Sequence, residues 1–77
     1  MNVYVLEILF SGDTYVFEKI EAAREFTVVK IKEYYTDEDE ALELIEELNE
    51  EYLKYGDYFD IGEVTCFKVP FIQGEEI

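Results

Sequence analysis

Seventy-seven residues make one domain with a thin core. Twenty acids against six bases give a net charge of −14, which argues against direct contact with nucleic acid or anionic membranes and favours basic partners. A hydrophobic fraction of 49%, with seven Tyr and six Phe, excludes a disordered acidic tail, and one cysteine excludes an intrachain disulfide.

The opening "NVYVLEILF" has strand composition, rich in β-branched and aromatic residues. Alternation sends Val3 and Val5 to one side and Tyr4, Leu6, Ile8 and Phe10 to the other. "SGD" supplies turn chemistry, and "TYVFEKI" is the second strand of a hairpin. "EAAREF" favours helix, but six residues are too few to hold one alone, so it is expected as a connection with about one helical turn. "FTVVKIKEYY" reads as a third strand.

"TDEDEALELIEELNEEY" is a helix. Thr36 is the expected N-cap, with Asp39 three residues later as an acidic form of the capping box. Asp37, Glu38, Asp39 and Glu40 crowd the first turn, where the helix dipole favours negative charge. Ala41, Leu44, Ile45, Leu48 and Tyr52 recur at helical spacing as one apolar stripe, and Gly56 ends the helix. "IGEVTCFKVPFI" is the last strand, with Pro70 marking a sheet edge. The order β-β-β-α-β predicts an α+β fold over residues 1–77, with one antiparallel four-stranded sheet and a single amphipathic acidic helix on one face. Its strands are apolar on both faces, so a homodimer is expected to cover the second one.

The charge is concentrated in the middle of the chain. Residues 1–32 and 64–77 each carry a net −1, whereas residues 33–63 hold thirteen acids and one base, Lys54. At 100° per residue, Asp39, Glu43, Glu46, Glu47 and Glu50 lie opposite the apolar stripe, with Glu40 and Glu51 beside them. Lys54 is placed to pair with Glu50, while Glu43–Glu47 and Glu46–Glu50 are like-charged at i,i+4 and weaken the helix. Nine acids from Asp37 to Glu51 give about one charge per 2.3 Å of helix axis, against about 1.7 Å for duplex DNA. Asp57, Asp60 and Glu63 follow and extend the field. Tyr55, Tyr58 and Phe59 either pack in the core or add apolar anchors beside the acids.

Rival chemistries have less support. An EF-hand needs a central Gly and alternating ligands, which "TDEDEALELIEE" lacks, and the absence of His disfavours zinc. Cys66 sits among apolar residues and reads as a small core side chain, not a nucleophile. No cofactor, metal or catalytic group is expected. The opening residues lack a basic n-region and a small-residue cleavage site, and no apolar run approaches membrane-span length, so a cytoplasmic protein is expected.

Size, the stretch "DEDEALELIEELNEE", the sheet-plus-helix layout and the expected dimer together resemble the small acidic DNA-mimic proteins of bacteriophages. The chain looks most like those that block the host nucleoid protein HU. The class also contains inhibitors of uracil-DNA glycosylase, restriction enzymes and RNA polymerase. The resemblance implies a non-enzymatic inhibitor in a host cytoplasm that occupies the DNA-binding surface of a basic protein such as a histone-like nucleoid protein. These proteins share charge layout more than sequence, so the candidate partner-binding residues come from this chain: Asp39, Glu43, Glu46, Glu47, Glu50, Glu51, Asp57, Asp60 and Glu63. The same composition also fits an inhibitor of another DNA-processing enzyme. It equally fits a small dimeric interaction module whose acidity serves only solubility.

Overall fold

The computed structural model describes residues 2–70. Strands β1 (Asn2–Ile8) and β2 (Asp13–Phe17) form the expected antiparallel hairpin. Its turn closes where the Gly12 N–H donates to the Ile8 carbonyl at 2.8 Å, with Gly12 at φ 73°, a conformation that disfavours a Cβ. Two helices follow, α1 (Ile20–Tyr34) and α2 (Glu38–Tyr55), then a two-residue strand β3 (Phe59–Asp60) and a longer β4 (Val64–Pro70). The four strands make one antiparallel sheet in the order β2-β1-β4-β3.

The α+β class and the four-stranded antiparallel sheet agree with the sequence reading, but two elements differ from it. The segment expected as a third strand, "FTVVKIKEYY", belongs to α1, so there are two helices and the order is β-β-α-α-β-β. The physical reason is burial. Ile20, Ala23, Thr27 and Ile31 are the buried positions of α1, spaced by three or four residues, so helical periodicity outweighs the β propensity of the Thr-Val-Val run. Thr27 meets its own need for a hydrogen bond inside the helix, donating from Oγ1 to the Ala23 carbonyl at 2.8 Å. The strand that completes the sheet is β3, too short to stand out from "YGDYFDIGE".

Alternation along β1 falls as expected. Leu6 and Ile8 are buried beneath the helices and pair with Cys66 and Val64 of β4, while Phe59 of β3 pairs with Cys66. These residues, with Ile20, Ile31 and Leu48 of the helices, form the core. Because β3 faces β4 only opposite Thr65 and Cys66, β4 is a free edge on that side from Phe67 onward among the described residues. Pro70 therefore sits at an edge, where a missing N–H costs no ladder bond. Phe71 and Ile72, expected as the end of this strand, lie outside the described residues.

The other face of the sheet carries Val3, Val5, Val16, Phe67 and Val69, and the ladder places Val5 beside both Val16 and Phe67. Both helices pack on the opposite side, so among the described residues nothing covers this face. Its far end is polar, where Thr14, Glu7, Thr65 and Asp60 follow one another across the four strands.

Candidate acidic interface

Local sequence fixes where α2 begins. Asp37 is its N-cap, and the Asp39 and Glu40 N–H groups donate to Asp37 Oδ1 at 2.9 and 3.4 Å. This corrects the expectation that Thr36 caps the helix. A carboxylate at the N-terminus satisfies the free N–H groups and also meets the dipole, so it outcompetes the neighbouring hydroxyl. At the other end Gly56, at φ 80°, donates its N–H to the Tyr52 carbonyl and closes the helix as expected.

The apolar stripe holds α2 in place. Ala41 and Leu48 are buried and Leu44, Ile45 and Tyr52 are packed against the core. A polar clasp ties α2 to α1. Arg24 donates to Asn49 Oδ1 at 3.2 Å, its guanidinium lies 5.1 Å from the centre of the Tyr52 ring, and the Tyr52 hydroxyl donates to Glu21 at 3.3 Å. With the inner stripe fixed, rotation about the axis is fixed too. Asp39, Glu43, Glu46, Glu47 and Glu50 are consequently all exposed on the outer side, and Glu51 is half-buried at the margin.

Among the described residues, no cation pairs with these outer acids; the ion pairs there are Lys30–Glu33 at 3.4 Å and Lys68–Asp57 at 3.0 Å. The expected Glu50–Lys54 pair does not form; the Lys54 ammonium lies instead over the Tyr55 ring, 5.2 Å from its centre. An exposed pair is worth so little that a nearby aromatic face competes with it.

After Gly56 the chain reverses, and β3 runs back alongside α2. Asp57, Asp60 and Glu63 fall in and around this returning segment, but they differ in placement and availability. Asp57 is engaged by Lys68, whose pKa is raised by that hydrogen bond and charge. Asp60 organises the turn before β4, accepting from the Gly62 N–H at 2.9 Å and the Thr65 hydroxyl at 3.4 Å. Its side chain belongs to the open face of the sheet. Glu63 is exposed near the start of α2, where it and Glu40 both contribute, after burial, to raising the Tyr35 phenol. Burial first, then Asp60 and Glu51, likewise raises the Tyr58 phenol. The acids expected on the outer side of α2 are exposed there, while two of the three later acids also have partners inside the chain.

The neighbouring aromatics separate into two groups. Phe59 is fully buried in the core, so it cannot serve as an anchor. Tyr55 is exposed and Tyr58 half-buried, with their rings perpendicular at 5.4 Å. Two exposed leucines on α2, Leu42 and Leu53, were missed. Their signal was present in the sequence as apolar residues outside the inner stripe.

Among the described residues, no helix is long and apolar enough to cross a membrane, and no three acidic, His or Cys side chains converge as a metal site would require. Comparison with protein families, characterised proteins and solved structures finds no match to this chain.

Proposed function

We propose that the chain is a non-enzymatic, cytoplasmic inhibitor that occupies the DNA-binding surface of a basic protein, such as a histone-like nucleoid protein. The observation that carries this reading is the outer face of α2, where five acids stand exposed together without a cation among the described residues. Such an array would present a basic groove with a charge density close to that of a nucleic acid backbone. Association would be fast at low salt and would weaken steeply as ionic strength rises. We place the contact on Asp39, Glu43, Glu46, Glu47 and Glu50, with Glu51 and Glu63 at its borders. Asp57 and Asp60 contribute field more than direct contact, because Lys68 and the β3–β4 turn already engage them.

The reading includes a homodimer through the open sheet face. It would bury Val3, Val5, Val16, Phe67 and Val69 and leave both acidic helices on the outside.

The test is capture from bacterial lysate on the immobilised protein, repeated with competitor duplex DNA and with an E43K/E46K/E50K variant. The reading expects a basic DNA-binding protein that is lost in both controls. Capture unaffected by DNA would refute it.

A further inference from the structure

Leu42 and Leu53 are 53% and 81% exposed on α2. Eleven residues separate them, which at 100° per residue leaves them about 20° apart around the axis and about 16 Å apart along it. They form one ridge beside the acidic face, with Glu46 and Glu50 between them along the helix. Leu42 also borders an open groove of about 620 Å³ at the α1–α2 junction, lined as well by Lys32, Tyr35, Glu38, Ala41 and Ile45. Neither leucine serves the core at that exposure, and a phosphate backbone has no apolar group corresponding to either.

We propose that this outer surface of α2 docks a basic amphipathic helix of a protein partner. The partner's Lys and Arg residues pair with Glu43, Glu46 and Glu50. Its apolar residues cover Leu42 and Leu53, and one of them enters the groove beside Leu42. Charge selects a basic occupant, and the two-leucine ridge selects a helix, because apolar residues eleven apart on a partner helix recur at the same spacing. The inference rests on the reading of α2 as a face for basic proteins, and it adds an apolar component that salt does not screen. Burying an exposed leucine strengthens binding by about ten-fold to a hundred-fold.

Two labelled 18-residue helical peptides test it by fluorescence anisotropy. One carries Lys residues and a leucine face; the other keeps the Lys residues and has Gln for every Leu. At 300 mM KCl the Lys/Leu peptide is expected to bind at least about ten-fold more tightly than the Lys/Gln peptide, the lower bound for one buried leucine. The L42S/L53S variant should erase that advantage yet still bind the Lys/Gln peptide at 50 mM KCl. Both substitutions lie on the surface, and circular dichroism checks that the variant is folded. Equal affinity for the two peptides would overturn the inference and leave the acidic face as a purely electrostatic one. An advantage that survives in L42S/L53S would also overturn it, by placing the apolar contact elsewhere, such as on the open sheet face. Self-association of the chain that disappears in L42S/L53S would make the occupant a second copy. Failure of both peptides to bind at 50 mM KCl would refute the inference together with the reading beneath it.

Discussion

Asp37 and Thr36 stand side by side, but only Asp37 holds the start of α2. Replacing a side chain that caps a helix costs about 1 kcal/mol. Asp37→Ala is therefore expected to lower the urea-unfolding free energy by about that much, and Thr36→Ala by much less. The reverse ranking would return the cap to Thr36. Cys66 gives the fold a dependence on alkaline pH. Burial among Leu6 and Phe59 pushes its thiol pKa from 9.0 up to about 12. The folded state then keeps a proton that the unfolded state releases above pH 9. Stability from this group is fully present below pH 9 and is lost as pH rises toward 12, by at most about 1.4 kcal/mol per pH unit. The raised phenols of Tyr35, Tyr52 and Tyr58 add loss of the same sign at higher pH. Thermal melts from pH 8 to 11 should thus fall with pH, and fall less steeply in Cys66→Ala. Equal slopes in the two proteins would show that the thiol is not shielded. The core role of Cys66 was legible from its apolar neighbours, whereas the choice between two adjacent capping residues was not. Thr and Asp are both favoured at this position, and the dipole that strengthens the preference for Asp acts only once the helix start is fixed.

Among the elements, α2 was legible because several signals coincided: acids in its first turn, a stripe of five apolar residues and a closing glycine. In α1 they conflicted. Ala22 and Ala23 favour helix, Thr27, Val28 and Val29 favour strand, and the buried positions that decide between them depend on a sheet that local sequence does not describe. The strand β3 has only two residues and exists because the rest of the sheet is there to receive it. The acidic face of α2 leads to a further expectation. Like-charged pairs Glu43–Glu47 and Glu46–Glu50 each cost about 0.2–0.5 kcal/mol, and screening removes that cost. Raising KCl from 20 to 500 mM should increase the melting temperature by several degrees, since about 1 kcal/mol corresponds to about 4–8 °C in a domain of this size. A melting temperature that falls with salt would mean that attractive ion pairs, not repulsion, dominate the surface.

For the whole molecule, the acidic array of α2 and the apolar patch of the sheet occupy opposite sides. The helices turn their acids outward, and the uncovered sheet face presents Val3, Val5, Val16, Phe67 and Val69. The sequence indicated this face through alternation in β1, although the third strand it assigned to the same sheet is a helix. Light scattering should give the mass of two chains, and Phe67→Asp should give one. A single-chain mass for the unmodified protein at all concentrations would remove the dimer without touching the acidic face.

The central claim is that this face takes the place of DNA on a basic protein. The most direct measurement is anisotropy of a labelled duplex bound to the captured partner, titrated with the chain and with E43K/E46K/E50K. The chain is expected to displace the duplex, less so as KCl rises, and the folded variant is expected to leave it bound. A stable ternary complex, in which the partner holds the duplex as tightly with the chain bound as without it, would contradict the account.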